Sequence, residues 1–370
     1  MRRSLWLATA LGAAAALAVG VVPAVAAASA PSPWHVVYRH QFAAHSYSDF
    51  GTVTPGGPGE LWAVGGYGVA GNGAAGAVLW KNHRWQVTPV PQPVTLGLIT
   101  AVSADSASDA WAVTANGYVI RWNGTRWRIA KRLAEPNLGP PGDVPTGVLA
   151  ISARNVWVFY GTWRDAGGLH GGALHDLNGV WKQVTGPGRT ILRASAATPS
   201  QLWAIGGPDS AHAGLLRYGP LGWQPVRATA LAGLTFGGVL AQRSGPVWAV
   251  GWPSNGKGPG ALMKLSGGAW TRHPMPAAIQ PGPGAFAGAA ALAGDGHGGV
   301  WITAPAFFPG SGHLLHFANG GWQLIGLGVN VNADSVASVP GSDTLCASGH
   351  ANNYKQAIGT ALVWSTGTSC

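Results

Sequence analysis

Two glycine-rich segments have spacings close to those of phosphate-binding loops. Residues 251–258 read G-W-P-S-N-G-K-G, one residue short of G-x-x-x-x-G-K-[ST], and residues 294–299 read G-D-G-H-G-G, which fits G-x-G-x-x-G. Such loops work because backbone N–H groups and the N-terminus of a following helix converge on the phosphates. Gly258 stands where a hydroxyl would hold Mg²⁺, and both segments adjoin strand-like sequence with no helix to follow. Residues 294–299 therefore read as a tight turn between strands. Among the 12 His, His313 and His316 are three apart and His170 and His175 five apart. Odd separations on a strand face opposite sides, so neither pair chelates, and no metal or cofactor is expected. Carboxylates for glycoside chemistry come down to Asp165, Asp209, Glu135 and Asp143. Asn123-Gly124-Thr125 matches a glycosylation acceptor, but an Asn-Gly turn is the plainer reading.

Any such residue needs elements to position it, and the chain supplies one element seven times. A strand written around Trp appears as Leu61-Trp62-Ala63-Val64-Gly65, Ala110-Trp111-Ala112-Val113, Val156-Trp157-Val158-Phe159, Leu202-Trp203-Ala204-Ile205-Gly206, Val247-Trp248-Ala249-Val250-Gly251 and Val300-Trp301-Ile302-Thr303. The Trp spacings are 49, 46, 46, 45 and 53, and 45 residues later Leu345-Cys346-Ala347-Ser348-Gly349 repeats the pattern with Cys in the Trp place. Each copy is followed by a hairpin, clearest at Trp122-Asn123-Gly124-Thr125-Arg126-Trp127. Four short β runs per period of about 45 to 50 residues predict an all-β fold, a single seven-bladed β-propeller of four-stranded blades. The strands are named a to d from the axis outward. The seventh copy ends after its strand c, at Ala361-Leu362-Val363-Trp364, while Trp34-His35-Val36-Val37 matches a strand d. The N-terminal strand is expected to complete blade 7 and remove a free sheet edge, making residues 31–370 one domain.

The Trp-Ala-Val-Gly strand, the Gly65-Gly66 and Gly206-Gly207 doublets and the hairpin closing on Trp resemble kelch-type propellers, and more closely the Trp-Ala-Val-Gly repeat propellers of secreted bacterial proteins. The resemblance spans residues 34–370, and blades 3, 5 and 6 depart from the double glycine. It implies the propeller fold and little about function, because propellers host binding, scaffolding and catalysis alike.

Of the 19 Trp, six fall on strand b, seven on strand d and three on strand c, where packing between blades accounts for them. Trp163 and Trp252 fall outside the repeat, in b–c connections, as do Tyr67, Phe307, Phe308 and Tyr354 in other blades. In a propeller the b–c and d–a connections share one face. The aromatics are expected to form a ligand site there, with Arg164 and Lys257 beside the two Trp to meet anionic groups. Cys346 begins strand b of blade 7 and Cys370 lies past strand c, so the two ends meet on one side of an antiparallel pair and a disulfide is expected.

Arg2 and Arg3, the apolar stretch 5–22 and small residues at 24–28 read as an export signal over residues 1–30, placing the mature chain outside the cell with no membrane span after cleavage. Without Arg2 and Arg3 the formal charge falls from +10 to +8, which reads as a solvated basic face rather than a nucleic-acid surface. A secreted, monomeric, non-catalytic binding module is favoured. Its ligand would be a glycan, a cell-wall polymer or a protein. A carbohydrate-active or lyase-like enzyme and a structural component of the cell surface are the alternatives.

Overall fold

A computed structural model describes residues 33–43, 46–68, 74–94, 97–133, 145–165, 168–184, 190–207, 212–243, 245–276, 290–303, 311–353, 358–368 and 370. The expected signal, residues 1–30, lies outside them. Seven four-stranded antiparallel sheets make the seven blades. In six of them the strands follow chain order, from Ser48–Gly57 as strand a of blade 1 to Gly321–Val329 as strand d of blade 6. In blade 7 the chain supplies strands a, b and c as Val331–Ser338, Leu345–Asn353 and Ile358–Ser365. Strand d is His35–His40, with His35 opposite Ser365 and His40 opposite Ala361. The ring is closed by the N-terminal strand, as the repeat arithmetic requires. Among the described residues no helix is long and apolar enough to cross a membrane.

The tryptophans explain why the blades stack. A strand-b Trp meets the strand-d Trp of the next blade. Trp62 packs against Trp127 at 5.1 Å, Trp111 against Trp181 at 6.2 Å, Trp157 against Trp223 at 5.8 Å, Trp203 against Trp270 at 6.0 Å and Trp301 against Trp34 at 5.4 Å. Trp248 and Trp322 share one apolar cluster at the remaining joint of this kind. Each edge-on pair adds about 0.5–1.5 kcal/mol to the burial of its rings. The indole N–H of Trp127 donates to Thr88 Oγ1 and that of Trp322 to the Pro274 carbonyl, so these rings also pin the outer strands of adjacent blades.

Strand c covers the other side of the strand-b rings. The residue opposite each Trp in register is Arg121, His175, Arg217, Lys264 or His316 in blades 2 to 6. Their cations or imidazoles lie 4.0 to 5.6 Å from the indole centroids. His175 and His316 are thereby placed as stacking partners, with Asn155 and Asp295 each 2.9 Å from their Nε2 atoms. Residues 294–299 form the expected a–b turn, in which Asp295 Oδ1 accepts the N–H groups of His297 and Gly299. Asn123 Oδ1 caps the Asn-Gly turn by accepting the N–H groups of Thr125 and Arg126.

The glycine three residues after the strand-b Trp or Cys is required by a close approach of strand a. A Cβ on Gly65 would stand 2.1 Å from the Asp49 carbonyl oxygen, and one on Gly349 2.0 Å from that of Asn332. Cys346 and Cys370 form the expected disulfide, with Cα atoms 6.3 Å apart and both residues buried.

Candidate functional site

Strand a begins on the face of the d–a and b–c connections and lines the axis. In six blades its register against strand b slips by one residue near that face, for example between Ile99 and Ala101, Pro145 and Gly147, and Ala333 and Ser335. A bulge leaves one residue unpaired and re-aims its side chain. In blades 2 and 3 that residue is Thr100 or Thr146, whose hydroxyl donates to a carbonyl of the following blade, Pro145 or Ile191. In blade 7 it is Asp334.

The bulge brings Asp334 beside His350 of strand b, and ring closure brings in Asp49 of blade 1. His350 is 7% exposed, and its Nδ1 stands 3.2 Å from Asp49 Oδ1 and 3.2 Å from Asp334 Oδ2. The Asn332 amide lies 2.9 Å from Nε2, and the Tyr47 ring meets the imidazole edge-on at 5.0 Å. Burial works against a charged His350, but the contacts with Asp334 and Asp49 and their negative field outweigh it, so its pKa is pushed up to about 9. Burial raises the pKa of Asp334, the neighbouring His350 opposes this, and the like charge of Asp49 adds to it.

Arg193 of blade 4 lines the channel along the axis. Its register equivalents are Thr52, Ala101, Gly147, Gly238 and Ser335, all small, so the ring leaves room for one long side chain. Burial lowers the Arg193 pKa and the charge of Asp334 raises it; a guanidinium stays protonated in proteins. The cavity there has a volume of about 310 Å³ and is lined by strand a of all seven blades. Arg193 in the axial cavity thus feels the charge of Asp334, which ties it to the Asp49, Asp334 and His350 cluster.

Blade 3 adds a second feature to that face. Its strands b and c, Asn155–Asp165 and Gly168–Leu177, continue past the ring as a two-stranded ribbon, with Trp163 opposite His170, Arg164 opposite Leu169 and Asp165 opposite Gly168. At a strand rise near 3.3 Å the ribbon reaches roughly 15 Å beyond Tyr160.

The aromatic set expected from the sequence is redistributed. Trp163 and Arg164 lie in the ribbon rather than a loop. Trp252 is a correction: it is 5% exposed, pairs with Thr235 inside strand b of blade 5, and packs with Met275 in the core. A Cβ at Gly260 would stand 2.7 Å from its Nε1, so the chain entering strand c needs glycine there to pass this ring. Tyr67 ends strand b of blade 1 half-buried, and Lys257 is exposed in a turn of blade 5, where its N–H donates to Asn255 Oδ1. Phe307, Phe308 and Tyr354 lie outside the described residues. Tyr67, Trp163 and Lys257 belong to separate blades, blades 1, 3 and 5. Sequence reasoning missed Asp49, Asp334, His350 and Arg193. Of these only Arg193 left a signal, a lone basic residue at a position otherwise filled by small ones.

No protein-family model and no curated sequence matches this chain. Solved propellers do. A structure of YCF48 bound to D1 peptide is 14% identical with a TM-score of 0.58, over 93% of this chain and 98% of that one. The extracellular domain of a hybrid two-component system from B. thetaiotaomicron is 13% identical with a TM-score of 0.54, over 90% of this chain and 40% of that one. The GH74 xyloglucanase from Xanthomonas campestris is 14% identical with a TM-score of 0.55, over 87% and 54%. At these identities the likeness is one of fold.

Proposed function

We propose that the protein is an exported, non-catalytic binding module of the kelch-like, Trp-Ala-Val-Gly repeat kind. It holds an extracellular glycan or cell-wall polymer on the face of the b–c and d–a connections, and residues 1–30 direct its export. The observation that carries this reading is the blade 3 ribbon, which departs from the repeat on that face and carries Trp163 and Arg164. An indole offers a flat surface for a sugar ring, and a guanidinium beside it suits an anionic substituent. Asp49, Asp334 and His350 supply polar partners on the same side. The disulfide fits an oxidising compartment, and an extracellular domain and a glycoside hydrolase share the fold.

The test is a pull-down of the mature protein with insoluble peptidoglycan and a polysaccharide panel. Trp163→Ala is expected to weaken retention at least tenfold at unchanged melting temperature. Retention that falls steeply with salt would assign the main contact to Arg164, and retention indifferent to salt would assign it to stacking. If Trp163→Ala binds as well as the parent protein, or if no polymer is retained and a peptide library is, the reading fails.

A further inference from the structure

We propose that Asp49, Asp334 and His350 form a site for one divalent transition-metal ion, zinc foremost, at the joint between blades 7 and 1. Three ligand atoms, one from each residue, lie within 4.8 Å of one another. A charge-assisted hydrogen bond between imidazolium and carboxylate closes to about 2.7–2.9 Å. Here both carboxylates stand 3.2 Å from Nδ1, within ion-pair reach but longer than that, and Nδ1, Asp49 Oδ1 and Asp334 Oδ2 are buried without a well-formed hydrogen bond. A separation of 3.2 Å is also close to the edge of a zinc tetrahedron, since bonds of about 2.0–2.2 Å place neighbouring ligand atoms about 3.3–3.6 Å apart.

The surroundings fit the same assignment. His350 is more than nine-tenths buried and turns Nδ1 toward the two carboxylates. Metal-bound imidazoles give their other N–H to a fixed acceptor. The amide nitrogen of Asn332 stands 2.9 Å from Nε2, and turning the amide over, which exchanges its nitrogen and oxygen in the same space, presents the oxygen to accept that proton. One imidazole and two carboxylates suit zinc, and a three-ligand zinc keeps a fourth position open for water or a ligand oxygen. Two carboxylates contributed by different blades would be cross-linked by the ion where the ring closes. This assignment stands apart from the proposed binding role.

The experiment uses the mature chain treated with EDTA, shown folded by circular dichroism, and titrated calorimetrically with ZnCl₂, with Co²⁺ absorption as a second readout. The expected result is one ion per chain, a raised melting temperature and cobalt bands typical of oxygen and nitrogen ligands. Asp49→Asn and His350→Gln should weaken binding at least a hundredfold, and Asn332→Ala about tenfold. Asp49 is the most exposed of the three, so its variant decides the matter if His350→Gln does not fold. Folded parent protein that takes up no stoichiometric zinc, or an Asp49→Asn protein that binds it unchanged through surface histidines, overturns the site. Neither outcome bears on polymer retention.

Discussion

Six joints of the ring set a strand-b tryptophan against a strand-d tryptophan, and the seventh does not. Between blades 1 and 2, a strand-b indole lies against a strand-d indole, and Trp62 also meets Trp122 at 5.2 Å. Between blades 7 and 1, Cys346 holds the strand-b place, Trp85 stacks on Tyr38 of the N-terminal strand at 4.8 Å, and the face above carries Asp49, Asp334 and His350. Interchangeable apolar packing suffices where the chain runs on from one blade to the next. Where its two ends meet, other devices appear: strand pairing, a disulfide, a polar cluster, and Gln41, which accepts the Thr360 hydroxyl and donates to the Ser46 carbonyl. The repeat is relaxed at the joint where it no longer connects consecutive sequence.

The severest way to break the contrast is to remove the closing strand. Deleting residues 31–38 takes away Trp34 and most of strand d of blade 7 and leaves Ile358–Ser365 unpaired on one side. The loss is expected to exceed about 5 kcal/mol, since one Trp→Ala change in a core costs 3–5 kcal/mol before any strand is lost. Urea unfolding of the truncated and parent proteins measures it. An unchanged midpoint would mean that the ring does not depend on this strand. Next in size is a tryptophan joint: Trp248, fully buried, should cost about 3–5 kcal/mol on replacement by Ala. The disulfide should matter less. It closes a separation of 24 residues, worth about 3 kcal/mol in the chain-entropy model, and the Cys346→Ser, Cys370→Ser double variant should lose that much or somewhat less. Parity between the Trp248 and cysteine variants would erase the distinction between the two kinds of joint.

How far the molecule was legible in its sequence follows the same division. The fold could be read because the Trp period is written in every blade, and the closure because Trp34 matches a strand d with no blade of its own. The disulfide could be read because Cys346 replaces a Trp at a known register. The Asp49, Asp334 and His350 cluster could not. Asp49 and Asp334 lie at opposite ends of the ring sequence and become neighbours only on closure, and Asp334 faces His350 only because one bulged residue shifts the register. Trp252 was misread for a related reason: strand b of blade 5 stays paired with strand a two pairs further than in blades 2 and 3, which carries the ring into the core.

A smaller effect distinguishes the outer polar pairs from the axial cluster. Burial would raise the Asp295 pKa, but the His316 contact and the N–H groups of His297 and Gly299 outweigh it and hold the carboxyl below its ordinary value. A group depressed in the folded state stabilises above its unfolded pKa and loses that contribution as pH falls through the folded one. Asp295→Asn keeps the acceptor and removes the charge. Its stability should fall less than the parent's between pH 4 and the acid transition, by about 1 kcal/mol or less. Superimposable acid limbs in thermal melts would show that the His316 pair contributes nothing.

The central claim is that the departures from the repeat mark the ligand face. Hydrogen–deuterium exchange with and without a solubilised peptidoglycan digest maps that face directly. Protection is predicted in the blade 3 ribbon and around the residues that begin strand a of blades 1 and 7, with the c–d hairpin turns on the opposite face unchanged. Protection confined to those turns, at residues 81–84 and 122–127, or absent from the ribbon at saturating digest, would contradict it.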